Sequence, residues 1–371
     1  MNSKERMRLT MNGEKADRFP VMSQLALGHI YKNAKIGPVD YWWESKGIAE
    51  GFIRMAEMYQ FDGILLNISG INPNNRQHIT DVAIVGDGHI VKLDNGSEIF
   101  VPPNDDPRPL GASRDYNKCV DIDHIDLDAI KVIKSESELP SYFFDIMDYV
   151  IERKGKDLSI HGEVGTAFEC FLLLFDSYEH GLMALVDDPD KSINIMKLLN
   201  EEVIVKATAQ CNKEIDALKL SSPFASSSFI SRSMYEAFVL PFEKEVIARV
   251  KAHFNIPCYI HTCGKIGDRL DLIVKTGING IECLDPFPIG DVNLEKAIDE
   301  IGDKVFIKGN LDSVNELMNN TPEKVRQIAA ERLRIAERCK KGYILSSACS
   351  ISPLVPPENV YALYEAVSNY K

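Results

Sequence analysis

His261 and Cys263 stand two residues apart in PCYIHTCG (257–264), and Cys349 lies near the end of GYILSSACS (342–350). Side chains two apart on a strand share a face, so an imidazole and a thiolate can meet one cation at about 2.0–2.3 Å. A Cys at the end of another strand can complete a His/Cys/Cys set. Thiolates and imidazole suit zinc, whereas magnesium and calcium take oxygen ligands; three protein ligands leave a fourth position open, the pattern of a catalytic zinc. A lone His-x-Cys carries little weight, since buried cysteines commonly fill cores. Three such residues at strand ends carry more, and His261, Cys263 and Cys349 are the expected Zn2+ ligands.

Two carboxylates join them as candidate catalytic residues. Glu163 falls near the end of LSIHGEVG (158–165), with three roles open: a weak fourth ligand displaced by substrate, a partner of His261, or a general acid. Asp285 ends GINGIECLD (277–285) and could act as general base toward a metal-held water. Asn310 and Asp312 of KVFIKGNLD (304–312), with Ser222 of SSPFASSSFIS (221–231), are the candidate substrate-binding residues, although a capped, solvated loop explains the serine run slightly better. His161 lies deeper and reads as structural. Cys258 and Cys283 within strands, and Cys170, Cys211 and Cys339 on helices, read as small core hydrophobes.

Positioning these groups requires strands that end together. Short apolar or β-branched runs recur at 19–23, 61–69, 158–165, 216–223, 257–264, 277–285, 304–312 and 342–350, separated by stretches of helical periodicity such as 41–60, 188–211 and 233–254. The stretch 321–342 predicts the clearest helix, with Thr321 as N-cap, Pro322 in the first turn and Gly342 at the close. Eight strand–helix alternations with right-handed crossovers predict a single α/β domain over residues 1–371, a (β/α)8 TIM barrel, with a doubly wound open sheet as the alternative. In such a barrel the catalytic groups collect at the carboxyl ends of the strands. Residues 70–157 hold too much chain for one loop between the second and third strands. Within them 79–103 predicts a β-meander, turning at GDG and DNGS, and a helix around 137–154 follows. This excursion is expected over the barrel mouth.

Composition removes several function classes. The chain has 371 residues, 45% hydrophobic and 26% charged, with a net charge of −13. That charge argues against nucleic acid or anionic lipid as partner, both of which call for clustered Lys and Arg. Neither a signal peptide nor a run of about 18 apolar residues is present, so a cytoplasmic protein with reduced cysteines is expected.

Taken together, GEKADRFPV (13–21), DALKLSSPFAS (216–226), ISRSMYEAFVLPFEKEVI (230–247), IHTCG (260–264), KGNLD (308–312) and SSACSISPLVPPENV (346–360) resemble the uroporphyrinogen decarboxylase superfamily. Within it they are most similar to the zinc-dependent corrinoid methyltransferases, such as the methanol- and methylamine-specific coenzyme M methyltransferases. The resemblance implies a (β/α)8 barrel with zinc on His261, Cys263 and Cys349. It further implies methyl transfer between the cobalt of a corrinoid and a small substrate, either a thiol acceptor or a methyl donor such as a methyl ether or methylamine. The decarboxylase branch resembles this chain less. Its Arg-rich N-terminal segment corresponds here to VMSQLALGHIYKNAKIG (21–37), which offers Lys32 and Lys35 but no Arg after Arg18. A zinc hydrolase on the same barrel is a further alternative. The Asp-x-His-x-x-Gly arrangement of corrinoid-binding proteins is absent: Lys92 stands where the Gly after His89 is needed, and Ile122 where the Asp before His124 is needed. A methylcobalamin-type corrinoid is therefore expected on a separate partner protein. Homodimers occur in the superfamily, but nothing in this sequence decides the oligomeric state.

Overall fold

The computed structural model describes residues 1–111 and 119–370. Among the described residues eleven strands follow in chain order: β1 (Gly63–Leu66), β2 (Ile79–Val85), β3 (Gly88–Leu93), β4 (Glu98–Val101), β5 (Arg108–Pro109), β6 (Ser159–Gly165), β7 (Ala217–Ser221), β8 (Cys258–Thr262), β9 (Gly280–Cys283), β10 (Phe306–Leu311) and β11 (Tyr343–Ser347). Seven form one parallel sheet in the order β1-β6-β7-β8-β9-β10-β11. Most of its residues are buried on both faces, which is why these runs read as continuously apolar rather than alternating. Helices fill the crossovers, among them Pro189–Cys211 before β7, Leu240–Lys251 before β8 and Pro322–Ala336 before β11.

The expected eighth strand, residues 19–23, is reduced to a single bridge from Val21 to Leu345, so the ladder count falls one short. The reason is local. Pro20 has no N–H to give, and the Val21 N–H goes to the Asp62 carboxylate at 2.8 Å instead of a neighbouring carbonyl. The segment still touches both sheet edges: Met22 N–H donates to Leu345 O and Asp62 N–H to Val21 O. Asp62 also takes Arg6 at 2.6 Å and Arg18 at 2.8 Å.

Inside the curl, Met22, Leu65, Ala217, Tyr259, Phe306 and Ile344 pack with Met7 and Met11 of the helix Ser3–Met11 into a cluster of their own. This plug closes the amino end of the sheet and leaves the carboxyl end for chemistry.

The helix expected over 321–342 has its Thr321 cap but ends at Ala336. Gly342 instead starts the entry to β11 at φ +103, where a Cβ would lie 2.1 Å from Thr10 O. Only glycine fits so close to that backbone. Within residues 79–109, β2, β3, β4 and the two-residue β5 pair antiparallel in chain order, and β5 has no counterpart in the expected run of 79–103. The following helix starts at Asp145, eight residues later than expected, after a 3-10 turn at Glu136–Glu138. The meander packs near the helix Leu27–Ala34, where Gly28 abuts Asn104 O. That helix is in turn held to the chain beyond β11 by His29 with Ser352 O, 2.9 Å, and Lys32 with Pro353 O, 3.1 Å. Among the described residues no helix is long and apolar enough to cross a membrane.

Candidate metal centre

Period-two alternation along β8 turns Tyr259 and His261 to the inside of the sheet, and Cys263 follows just past the strand. The chain then leaves through Gly264, whose φ of +81 suits glycine and whose N–H donates to Asp285 Oδ2 at 2.7 Å. Cys349 arrives from β11, steadied by Ala348 N–H donating to Leu311 O. His261 Nε2 lies 3.1 Å from Cys263 Sγ, and Cys263 Sγ lies 3.4 Å from Cys349 Sγ. All three donor atoms fall within 4.8 Å of one another, the only such cluster of three metal-ligating residues among the described residues.

Behind them stands a buried layer of charge. His261 Nδ1 is 2.9 Å from Glu282 Oε2, and Glu282 also meets Lys308 and, at 3.1 Å, Lys219. Lys219 reaches Glu163 at 3.1 Å and donates to Gln24. Strand register sets this up: His261 pairs with Glu282, Glu282 with Lys308, and Glu163 with Lys219 across neighbouring strands. Two ammonium groups face two carboxylates, so the layer is close to neutral. Each lysine is 0% exposed, and burying such charges costs several kcal/mol unless they are paired in this way.

With a carboxylate on Nδ1, His261 keeps a proton there and turns Nε2 toward the thiols, where a bound cation would take the place of the second ring proton. Burial and Lys219 push the His261 pKa down, but its bonds to Cys263 and Glu282 prevail and hold it up at about 9. Hydrogen bonds from Cys283 and Cys349, with His261, hold Cys263 well below the ordinary thiol range. The Cys263 thiolate and burial together push Cys349 far up. Cys263 is therefore the first thiolate of the pair, and the donors call for positive charge among them. Two sulfur donors and one imidazole nitrogen are the chemistry of a zinc site with an open position, and these residues fit the ion.

Of the other expected site residues, Glu163 and Asp285 are brought to this centre, the first through Lys219 and the second through Gly264. Burial raises the Asp285 pKa. Asn310, Asp312 and Ser222 are turned elsewhere. Asn310 donates to Leu284 O and accepts from Arg332; Asp312 caps the turn Ser313–Met318 through Val314 N–H and Asn315 N–H. Ser222 lies fully buried against Thr166 Oγ1 at 3.4 Å, one residue past the inward-facing Ser221. His161 is the structural group expected, bonded to Ser159 and Tyr259 and held neutral, its pKa near 3 through burial.

Sequence reasoning missed Lys219, Lys308, Glu169 and the part played by Cys283. Cys283 and Leu284 take φ of +87 and +55, a left-handed pair that brings the Cys283 thiol to 3.2 Å from Asp285 Oδ2 and beside Cys263. Non-glycine residues there carry strain of about 1–3 kcal/mol each, and such strain concentrates at functional sites. Glu169 follows β6 on the helix Ala167–Leu172, its Oε2 in the space where a Gly165 side chain would stand. Burial, then the nearby Glu163, raises its pKa to about 7. The lysines were visible in DALKL and FIKGN as single charges at period-two spacing inside apolar runs.

The sequence profile of uroporphyrinogen decarboxylase (URO-D) matches residues 116–370. Among curated relatives, the methylcobamide:CoM methyltransferase MtbA of Methanosarcina acetivorans is 29% identical over 168 residues, covering 45% of this chain and 46% of its own. MtbA of Methanosarcina mazei is 25% identical over 248 residues, 66% of this chain and 68% of its own. A uroporphyrinogen decarboxylase of Coxiella burnetii is 24% identical over 286 residues, covering 74% and 73%. The chain thus spans about half the length of the first of these relatives. Among solved structures, a methyltransferase from Methanosarcina mazei superposes with a TM-score of 0.73 at 17% identity, over 99% of this chain and 98% of that one.

Proposed function

The chain belongs to the uroporphyrinogen decarboxylase family, and from that premise we propose that it is a zinc-dependent methyltransferase working with the corrinoid of a separate protein and a small substrate. The observation that carries this reading is the convergence of His261, Cys263 and Cys349 in front of the Glu282 carboxylate. Relatives named as methylcobamide:CoM methyltransferases support it. As a frame for the site we take the whole chain as one closed barrel, with the excursion at 70–157 over its mouth. The bridge from Val21 to Leu345 and the hydrogen bond from Asp62 N–H to Val21 O, one at each sheet edge, support that frame.

His261 Nε2, Cys263 Sγ and Cys349 Sγ would hold the zinc. Once bound, zinc supplies an open position that deprotonates a substrate thiol or polarises the heteroatom carrying the methyl group. Glu282 fixes the His261 ring, and Lys219 and Lys308 keep Glu282 ionised despite its burial. Asp285 holds the Gly264 turn, and so Cys263, in place. Glu169, with a pKa raised to about 7 by burial, can exchange a proton near the centre at neutral pH, taking one from a thiol acceptor or giving one to the heteroatom of a methyl donor. Two thiolate ligands lower the effective charge of the metal, which favours a thiol acceptor over a methyl donor that needs strong polarisation.

The decarboxylase alternative is disfavoured by Arg18. It is bound to Asp62 and Phe19 O, beside the amino-terminal plug and away from the strand ends where a polycarboxylate would sit.

Elemental analysis of the wild type and of Cys263→Ala, both purified without chelator, tests the proposal. About one zinc per chain is expected, lost in the variant, with methyl transfer from methylcob(III)alamin to a panel of thiols following the metal. Absence of zinc from both proteins, with no uptake on addition, would return the metal-free decarboxylase reading to first place.

A further inference from the structure

Three loops leave the carboxyl ends of the sheet beside the metal centre, and each is tied to it. Ser222 N–H donates to His261 O at 2.9 Å and Ser227 N–H to Lys265 O at 2.8 Å, which sets the stretch 222–231 against the chain leaving Cys263. The stretch 286–290 begins after Asp285, which accepts the Gly264 N–H, and closes on itself through Gly290 N–H to Pro286 O. The stretch 350–356 follows Cys349 and turns through Val355 N–H to Ser352 O. These loops hold large apolar side chains in solvent: Phe287 is 86% exposed, Leu354 58%, Phe229 48% and Ile289 44%. Single exposed apolar residues are ordinary, but four gathered on loops at one end of a sheet mark a contact surface.

The same loops are bare of charge. In a chain with 26% charged residues and a net charge of −13, residues 222–231, 286–290 and 347–357 contain no Asp, Glu, Lys or Arg. Charge returns at their flanks, at Arg232, Lys265 and Asp291. Charge depleted and aromatic side chains kept is the composition of a desolvated contact core. Exposed Ser227 and Ser228 add hydroxyls that suit neutral polar groups. An occupant that matches this rim is uncharged, apolar across its face and polar at its edge.

We propose that the rim seats the corrin macrocycle itself, a neutral ring with apolar faces and amide edges, and that it does so without electrostatic guidance. The inference rests on the methyl-transfer reading of the metal centre and deepens it. Phe229, Phe287, Ile289 and Leu354 supply the apolar contact, and the serines supply partners for the amides.

Steady-state methyl transfer from free methylcob(III)alamin to a thiol, by the zinc-loaded wild type and its variants, tests it. Phe287→Glu and Leu354→Glu should each raise the KM for methylcob(III)alamin at least fivefold with zinc content unchanged, whereas Phe287→Leu should keep most of the affinity. Met58→Glu places the same charge on a side chain that is 42% exposed on the helix Ser45–Tyr59, and should leave the KM as it is. Raising sodium chloride from about 50 to about 500 mM should shift the wild-type KM less than twofold, since charge-guided binding weakens as the Debye length shrinks. Wild-type KM in both glutamate variants overturns the proposal, and so does a severalfold rise of KM with salt. A dimer in sedimentation that Phe287→Glu breaks would assign the rim to a second copy of this chain instead. Zinc-loaded wild type that transfers no methyl group removes the underlying reading and this proposal with it, while transfer indifferent to the rim variants leaves that reading standing.

Discussion

The carboxylate at position 282 faces two ammonium groups and an imidazole at once, and none of these four groups reaches bulk water. Replacing it by the amide leaves Lys219 and Lys308 as excess buried charge, and breaking a buried pair typically costs about 3–5 kcal/mol. It also weakens the acceptor on His261 Nδ1, a partner whose loss usually lowers metal affinity by about 10- to 100-fold. Glu282→Gln should therefore lose both stability and zinc. Urea unfolding together with competition against a chromophoric chelator measures the two effects, and unchanged zinc affinity would contradict the role given to Glu282. The clustering of His261, Cys263 and Cys349 was legible, because His-x-Cys on a strand and a Cys ending another strand already carry their geometry. The layer behind them was not. A lysine within an apolar run has no assigned direction until the register is known, and only the pairing of Glu163 with Lys219 and of Glu282 with Lys308 turns both toward the same interior. For Asn310, Asp312 and Ser222 only a place at strand ends was legible; the neighbouring helices and turns that bond their side chains were not.

At the scale of elements, the weakest member of the sheet is the segment around Val21, and Asp62 is what fastens it. One carboxylate accepts the Val21 N–H, Arg6 and Arg18, tying the first helix, the bridge segment and the start of β1 together. Arg6 is 7% exposed but keeps Asp17 as a partner, so Asp62→Ala should cost about 1–3 kcal/mol through the lost charged hydrogen bonds, and amide exchange at Met22 and Leu345 should quicken ahead of the other strands. Uniform exchange across the sheet would show that the segment is held by packing alone. A second element carries a pH signature. Glu243, on the helix Leu240–Lys251, is 1% exposed; burial raises its pKa from 4.5 to about 7 against the opposing bond from Tyr235 OH. The folded state thus binds this proton more tightly than the unfolded chain. Stability is full below about pH 4.5 and declines as pH rises toward 7, by about 3 kcal/mol at 1.4 kcal/mol per unit. Glu243→Gln should remove that slope in denaturation midpoints compared at pH 5 and pH 8, whereas an unchanged slope would assign it to other groups. Elements of this kind were readable wherever periodicity and caps agreed, as at Thr321. The missing eighth ladder was not, because its cause is a side chain 41 residues away taking a backbone proton.

For the whole molecule, the question is whether the metal builds the fold or uses it. The three proposed ligands sit at strand ends whose positions are set by other forces: the ladders from β7 through β11, the plug under Tyr259 and Phe306, and the charge layer around Glu282. None of these needs a cation to form. Zinc that binds only the native state still adds stability by mass action, about 4 kcal/mol when the free metal exceeds its dissociation constant a thousandfold. For a chain of this length that corresponds to a melting shift of roughly 10 °C or less. Chelated protein, and Cys349→Ala likewise, should keep the far-ultraviolet circular dichroism of the wild type and melt cooperatively at a somewhat lower temperature, with methyl transfer abolished. Loss of the folded signal on chelation would make the zinc structural and remove the catalytic assignment. Retention of the signal together with restored activity on adding back zinc would separate the two roles, because the scaffold would then be shown to stand before the ion arrives.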